Sequence, residues 1–177
     1  MDIAIAFAKN LSLLVFIAAL LFVYYSLPEM VSLEFNQFQQ PINGLPKEYV
    51  FYIATFFVVL FNMILTFFVR FFQDIPLRRL NVPNQAFWLR DKISREHFFY
   101  VIQSWAYSFM LVVNLYTCYI LYRLYNINLY QQQDSHLWIE IGIFGMIFLG
   151  WLSFLFFRFR IKKYHLLGPP EDELSSL

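Results

Sequence analysis

Residues 49–69 read YVFYIATFFVVLFNMILTFFV, a stretch without one charged side chain. A helix needs about 20 mostly apolar residues to cross the roughly 30 Å hydrocarbon core of a bilayer. Three more stretches of the 177-residue chain have this length and character, at 5–25, 98–122 and 137–157. The chain is 60% hydrophobic and only 14% charged, which is unlike a soluble domain of this size. The sequence therefore predicts an integral membrane protein of the all-α class.

The connections and the charges predict how these spans are arranged. The connection between the third and fourth spans is predicted to be short and polar, over residues 126–136. Short connections imply antiparallel neighbours, and hence a four-helix antiparallel bundle over residues 1–167. Residues 168–177 contain Pro169-Pro170 and then acidic residues, and are predicted to form a disordered cytoplasmic tail. Of the 13 Lys and Arg residues, only Lys47 and Arg123 lie at the end of the bundle away from both termini. The positive-inside rule then places both termini and the central loop in the cytoplasm.

The first span has a second interpretation as a cleavable signal peptide. Its apolar run, 11–25, is at the upper limit for such a segment. The residues that follow, Ser26-Leu27-Pro28-Glu29, contain no small-x-small cleavage pattern. We therefore expect a retained helix, with the ammonium group of Lys9 reaching the inner membrane surface.

Two sequence patterns flank the second span. The first is Leu27-Pro28-x-x-Val31-x-Leu33-x-Phe35-Asn36 with Lys47 further on, and the second is Asn81-Val82-Pro83-Asn84-x-x-Phe87-Trp88-Leu89. Together they resemble two motifs of an uncharacterised bacterial membrane-protein domain that also occurs in SdpI-type immunity proteins. The resemblance covers about residues 27–96. The chain departs from that family at Ser32, where proline is usual, and at Glu34, where histidine is usual.

The resemblance implies a non-catalytic, multi-pass protein of the bacterial inner membrane. Some relatives are thought to protect the producing cell from a membrane-acting peptide, and some to signal to a cytoplasmic regulator. The chain would then recognise a peptide or a membrane-protein partner, and any ligand contact of the family histidine would be lost or altered at Glu34. The candidate partner-binding residues are Phe35, Asn36, Lys47, Asn81, Pro83, Asn84, Phe87 and Trp88.

A second function also fits the composition. The 23 phenylalanines on a small bundle would present a large aromatic area to lipid or to other subunits. The alternative is therefore an accessory structural subunit of a larger inner-membrane complex. A stoichiometric complex in mild detergent would favour this alternative over a stand-alone protein.

The loop 71–90 is the candidate lipid or partner site on the basic side. Pro76 and Pro83 exclude one continuous helix there. Its aromatic residues are interleaved with arginines, a pattern typical of a segment in the headgroup region, with rings in lipid and cations on phosphates. Anionic lipid is the favoured partner and a specific protein the alternative, whereas nucleic acid is excluded because the segment is short and lies against the membrane. Asp91 or Ser94 is expected to cap the third long helix.

Polar residues inside the spans are few enough to place by depth. Depth is counted from Arg70 and His97, which are taken as level at the inner surface, at about 1.5 Å per helical residue. Asn62 is then predicted to lie near Ser104 and Ser108, and Asn114 near Thr55 and Gly142. The face of the third span that carries these groups is predicted to be the bundle interior; its residues are Gln103, Ser104, Tyr107, Ser108, Leu111, Asn114, Leu115 and Cys118. Helix-to-helix hydrogen bonds are the favoured role, and a polar cavity or peptide site is the alternative.

Two further features concern the fourth span. Arg123 and Glu140 lie at similar predicted depth, so we expect an ion pair that clamps two helix ends; a charged vestibule for a peptide or lipid is the alternative. Gly142, Gly145, Gly150 and Ser153 form a side of small residues that permits close helix approach. We expect this side to be a packing seam inside the bundle, with a dimer face as the alternative.

No pattern for catalysis or cofactor binding is recognisable. His97, His136 and His165 lie at span ends without a carboxylate or thiol cluster, whereas zinc needs three or four clustered ligands and a haem needs facing histidines. Cys118 is the single cysteine and is expected to pack inside its span. We therefore expect neither an enzyme nor a bound cofactor.

Overall fold

The structure is a computed structural model that describes residues 3–36, 38, 40–42, 44–75, 82–131 and 137–160. The helices are α1 Ile3–Ser26, α2 Lys47–Asp74, α3 Gln85–Leu89, α4 Lys92–Tyr130 and α5 Leu137–Arg160. Four very short strands lie between α1 and α2: β1 Met30–Val31, β2 Glu34–Phe35, β3 Pro41–Ile42 and β4 Leu45–Pro46. The predicted all-α class is confirmed in this sense, because helix dominates the described chain.

Four of the helices, α1, α2, α4 and α5, are long and apolar enough to cross a membrane. The predicted spans 5–25, 49–69 and 137–157 each fall inside one helix. The third prediction, 98–122, is too short, since α4 has 39 residues. At about 1.5 Å per residue α4 is about 58 Å long, far longer than a bilayer core. The polar connection predicted from Asn126 onward is therefore wrong as far as Tyr130, where α4 ends.

α4 is the central helix, and its neighbours alternate in direction. α1 runs parallel to it, since Asn114 bonds Ser12 and, further along both helices, the rings of Tyr125 and Phe22 lie 5.5 Å apart. α2 and α5 run antiparallel to α4, as the hydrogen bonds and ring contacts reported below show. The predicted up-down-up-down order of the long helices agrees with these contacts. We call the end that carries the four strands the strand end, and the opposite end, which carries Lys9, Arg70 and Arg158, the basic end.

The described residues form four apolar clusters around α4. One joins α1, α2 and α4 towards the strand end, one joins α2, α4 and α5, and the third closes the basic end. The fourth is small and joins Phe35 to Ile127 of α4.

The buried α4 residues are mainly large and apolar, among them Trp105, Phe109 and Met110. Of the eight residues of the predicted interior face, Asn114 is buried, Leu115 is 45% exposed and the other six are partly buried. The most deeply buried side chains of α4 are instead mainly aromatic and aliphatic, because these side chains bury more apolar area.

α5 is attached through aromatic rings. The rings of Tyr116 and Phe144 stack in parallel with centroids 3.7 Å apart, and those of Phe109 and Phe148 are 4.9 Å apart. The predicted packing seam of small residues is wrong, since a Cβ atom added at Gly142, Gly145 or Gly150 would have no described atom within 4 Å. These glycines do not lie on the aromatic face of α5. Ser153, the fourth residue of the predicted seam, is exposed.

Candidate functional site

The segment 27–46 folds into a small cap over the strand end. β1 pairs antiparallel with β4, with Val31 opposite Leu45, and β2 pairs with β3, with Phe35 opposite Pro41. In the sequence, Val31, Leu33 and Phe35 alternate with more polar residues, and this period-2 pattern predicts an extended segment. Asn43-Gly44 is a dipeptide typical of a turn, but Asn43 lies outside the described residues. The side chain of Glu34 also lies outside them.

Asn128 of α4 anchors the cap. Its Nδ2 donates to the backbone oxygen of Ser32 at 2.9 Å, and its Oδ1 accepts from the backbone nitrogen of Ser32 at 2.8 Å. The same amide nitrogen donates to the oxygen of Leu124. Both residues are buried, so the two-way bond replaces the hydrogen bonds that the Ser32 backbone would otherwise lose. This contact requires an N–H at position 32, where the resembling family usually has proline.

Three predicted partner-binding residues at this end make contacts inside the chain. Phe35 is buried against Ile127. The Oδ1 of Asn36 accepts from the backbone nitrogens of Phe38 and Gln40 at 2.9 and 2.8 Å. The ammonium of Lys47 lies 5.3 Å from the centre of the Tyr24 ring. These residues shape the cap; whether they also contact a partner stays a prediction.

The cap leaves a different set of side chains exposed. They are apolar and lie on or next to the two strand pairs. Phe38 is 81% exposed and Met30 58%, and Ile42 and Leu45 are also exposed. We call these four residues the cap surface. Large exposed apolar side chains on a fixed backbone are typical of a surface that meets lipid or a partner.

A tyrosine-rich pocket of about 220 Å³ adjoins the cap between α1 and α2. Its lining combines aromatic rings with one carboxylate and consists of Leu21, Tyr24, Tyr25, Glu48, Phe51 and Tyr52. Tyrosine faces attract cations, and a carboxylate pairs with them. Lys47 already uses the Tyr24 ring in this way, so the pocket is suited to a cationic group from outside the chain.

The predicted box at the basic end is folded into the protein. Trp88 is fully buried and Phe87 nearly so, in a cluster with Phe98 and Phe159. The interpretation that these aromatic rings dip into lipid is therefore wrong, because α4 and α5 extend far enough to enclose them. Trp88 Nε1 is buried and has no hydrogen-bond partner among the described residues.

Asn84 of the same box bonds to the backbone of α5. Its Nδ2 donates to the backbone oxygens of Phe159 and Arg160, at 3.2 and 2.7 Å. Its φ of 57° lies in the left-handed region, which asparagine tolerates better than most residues. Half-buried Pro83 precedes it, and Asn81 lies outside the described residues. The amide that sequence reasoning assigned to a partner thus holds the last described turn of α5 within the chain itself.

Asp91 caps α4 as predicted. Its carboxylate accepts from the backbone N–H of Ser94 at 2.6 Å and pairs with Arg90 at 2.8 Å. The Ser94 N–H, with Arg90 as a smaller contribution, holds the pKa of Asp91 below its ordinary value, against the opposing effect of partial burial.

A polar cluster joins α1, α2 and α4 in the interior. Asn62 Nδ2 donates to Asn114 Oδ1 at 2.8 Å, and Asn114 Nδ2 donates to the hydroxyl of Ser12 at 3.0 Å. Ser108 does not join them; its hydroxyl donates to the backbone oxygen of Ser104. The predicted pairing of Asn62 with the two serines is therefore wrong, although helix-to-helix hydrogen bonding by Asn62 and Asn114 is confirmed.

The error came from the depth assigned to the start of the third span. Sequence reasoning took Arg70 and His97 as level. Counting from the Asn62–Asn114 contact, Arg70 lies about 12 Å towards the basic end, near Tyr107. The ammonium of Lys9 lies 4.9 Å from the centre of the Tyr107 ring, which agrees with this register. α4 therefore extends well past Arg70 at the basic end.

Arg123 and Glu140 form the ion pair that was predicted. Arg123 Nε and Nη2 lie 3.3 Å from the two carboxylate oxygens of Glu140. Tyr116 donates from its hydroxyl to the Glu140 backbone oxygen at 3.0 Å. The bidentate geometry and partial burial favour the structural clamp over an open vestibule.

Sequence reasoning missed Ser12, Ser32 and Asn128. Asn128 was assigned to a loop, and only the true length of α4 places it beneath the cap. A usable signal was present in Leu121, Leu124 and Asn128, which continue the helical spacing of α4 past the predicted span. Ser12 could have been found as the one serine in the apolar run 11–25 of α1.

The described residues contain no group of three or more His, Cys, Asp or Glu placed to hold a metal ion. The fold and these contacts define a class: a helical protein with four helices able to cross a membrane, suggesting a multi-pass membrane protein, with a small strand cap. Comparisons with protein-family models, with curated proteins and with solved structures found no match for this chain. The resemblance to SdpI-type domains therefore stays a prediction.

Proposed function

We propose that this chain is a multi-pass protein of a bacterial inner membrane that recognises a peptide or membrane-protein partner at its strand end. The observation that carries the proposal is the cap: its backbone is fixed to α4 by Asn128, yet its large apolar side chains are left exposed. A surface that is ordered and apolar loses little conformational entropy when a partner covers it. In this proposal the chain binds and does not catalyse.

The charges support an orientation with the strand end outside. Lys9, Arg70, Arg90, Arg158 and Arg160 lie at the basic end, which the positive-inside rule places in the cytoplasm. The cap and the tyrosine-rich pocket then face the outside, where a peptide released by the cell or its neighbours would arrive.

The pocket adds chemistry to the proposed partner. Apolar side chains of the partner would cover the cap surface, while a Lys, an Arg or an amino terminus would enter among the tyrosines beside Glu48. Such a partner is amphipathic and cationic, which are properties of peptides that act on membranes.

Photo-crosslinking in living cells tests the proposal. A photoreactive phenylalanine analogue replaces Phe38 on the cap surface, and as matched control Phe56, a phenylalanine of α2 that is similarly exposed. We expect a discrete polypeptide adduct at position 38 but not at 56, and a severalfold weaker adduct when Glu48→Gln is added. Lipid adducts alone at both positions, or an adduct at 38 that Glu48→Gln leaves unchanged, would contradict it.

One observation favours the accessory-subunit alternative. The bare glycines of α5 would let a helix of another protein approach its backbone closely. Under this alternative, Gly145→Leu would release a stoichiometric partner that co-purifies with the natural chain in mild detergent. Retention of that partner in the variant, or the absence of any from the natural chain, would count against it.

A further inference from the structure

A cleft of about 360 Å³ runs between α4 and α5 in the basic half of the bundle. Its volume is within the range of sites for small ligands. α4 contributes residues from His97 to Ser108, about 16 Å of helix, and α5 contributes residues from Trp151 to Arg158. The cleft is therefore a long groove, and the function proposed above does not use it.

Arg158 is the charged group that points to a ligand. Its Nη1 is buried and makes no hydrogen bond to any residue in the described part of the chain. A buried guanidinium N–H without a partner is costly. Planar guanidinium groups bind phosphate oxygens in pairs, so a phosphate at this position would supply the missing acceptors.

The rest of the lining is amphipathic. Val101, Trp105, Phe154 and Leu155 form apolar walls, and Ser104 and Ser108 lie along the α4 side. The indole N–H of Trp151 is buried in the same cleft without a described acceptor. A ligand that fits has an anionic phosphate at one end, ester oxygens behind it and an apolar chain beyond.

The depth of the cleft along the bundle agrees with this order, in which the phosphate lies outermost and the apolar chain innermost. Lys9 and Arg70 both lie near Tyr107, and they indicate where the hydrocarbon ends at the basic end. Arg158 lies beyond them, level with the start of α4, because the ring centroids of Phe159 and Phe98 are 4.8 Å apart. Its guanidinium would be among lipid headgroups, and Trp151 would lie near the start of the acyl chains.

We propose that the cleft between α4 and α5 binds an anionic phospholipid, with the lipid phosphate on Arg158 and an acyl chain entering the bilayer past Trp151. The inference rests on the proposed membrane insertion, but not on partner recognition at the strand end. Failure of the Phe38 crosslink and failure of this site are therefore separate outcomes.

The test uses the full chain in phosphatidylcholine vesicles, with either phosphatidylglycerol or phosphatidylcholine carrying bromine on its acyl chains. Bromine quenches nearby tryptophan fluorescence. We expect brominated phosphatidylglycerol to quench with an association constant about fivefold greater than that of the neutral lipid. The preferential quenching should disappear when both tryptophans of the cleft are replaced, in the double variant Trp105→Phe, Trp151→Phe. Quenching without preference, or a preference that the double variant retains, would overturn the proposal.

Arg160 offers a matched control on the same helix. It is exposed and lies 5.6 Å from the Phe156 ring, and Arg160→Gln removes the same charge as Arg158→Gln. We expect Arg158→Gln to abolish the preference and Arg160→Gln to retain most of it. Equal losses would mean general attraction to a basic surface and would overturn the site.

Two further variants keep the test decisive should Arg158→Gln impair folding. Ser108→Leu fills the cleft while leaving Arg158 in place, and it should abolish the preference with the helical circular dichroism unchanged. The triple variant Glu171→Gln, Asp172→Asn, Glu173→Gln removes acidic groups of the chain that would compete with a lipid phosphate for Arg158. It should leave the preference for phosphatidylglycerol unchanged, and so should inorganic phosphate at millimolar concentration. Three results would each contradict a phospholipid in this cleft: a lipid preference that Ser108→Leu retains, a severalfold stronger preference in the triple variant, or loss of the preferential quenching when free phosphate is added.

Discussion

The side-chain amide of Asn128 exchanges two hydrogen bonds with the backbone of Ser32, a residue 96 positions earlier in the chain. A helix that ended at the predicted position, residue 122, would lack Asn128 and also Ile127, against which Phe35 of the cap packs. The extra turns of α4 therefore do more than lengthen a span: they supply the support on which the cap folds.

Asn128→Ala should release the cap. The backbone N–H and C=O of Ser32 would lose their acceptor and donor in a buried place, which costs about 1–3 kcal/mol per group. We expect faster amide hydrogen exchange over residues 30–46, measured by mass spectrometry. Asn126→Ala is the matched control, since Asn126 is a half-buried asparagine of the same helix end. If both variants exchange alike, Asn128 has no special role.

Asn62 and Asn114 should be energetically coupled. Interhelical hydrogen bonds in membranes contribute about 0.6–2 kcal/mol each, so the double variant Asn62→Ala, Asn114→Ala should lose less stability than the sum of the two single variants. Thermal unfolding in detergent measures the difference. Ser108→Ala should show no coupling with Asn62→Ala, because the Ser108 hydroxyl bonds only within its own helix in the described contacts. Strict additivity for the two asparagines would remove the interhelical bond from the account.

Reversing the charges of the clamp tests the third contact. Arg123→Glu should destabilise the bundle by about 1 kcal/mol or more, since it places two carboxylates together in a partly buried place. Adding Glu140→Arg should restore part of that loss. The melting temperatures of the two single variants and the double variant give the answer, and equal damage in all three would show that the pair does not stabilise the helix ends.

The Asp91 cap predicts a pH dependence. Because the folded state lowers the pKa of Asp91, the carboxylate contributes stability above the ordinary aspartate pKa of about 3.9. That contribution is lost as the pH falls below this value towards the lowered pKa. The natural chain should therefore exceed Asp91→Ala in melting temperature at pH 6, with the gap narrowing between pH 4 and pH 3. A gap that is constant over this range would contradict the assignment.

The four membrane-capable helices could be predicted from the sequence because their signal is local: each is a run of apolar residues of sufficient length. The Arg123–Glu140 pair was also predicted correctly, although α4 continues about two turns beyond Arg123 to Tyr130. The depth of Asn114, by contrast, was not predicted correctly from the sequence. Charges such as Arg95 suggested that α4 begins at the membrane surface, whereas the helix extends past it to pack on α3.

The roles of the candidate residues depended on packing that no local pattern reveals. Phe87 and Trp88 resemble an interfacial anchor in sequence, and only the length of α4 and α5 shows that they are enclosed. In the sequence Asn84 has the character of a surface amide, and its bonds to Phe159 and Arg160 depend on how α5 packs beside it. The exposed cap surface was likewise not predicted. Whether Phe35 is buried and Phe38 exposed depends on how the strand pairs β1–β4 and β2–β3 pack on α4.

Cysteine accessibility tests the central claim, that the chain crosses the bilayer four times with the strand end outside. In a Cys118→Ser background, single cysteines are placed at Phe38 in the cap and at Lys92 at the basic end, and intact cells are treated with a membrane-impermeant maleimide. We predict labelling at position 38 without permeabilisation and at position 92 only after it. Labelling of position 92 in intact cells would contradict the orientation and, with it, the proposed partner site at the strand end.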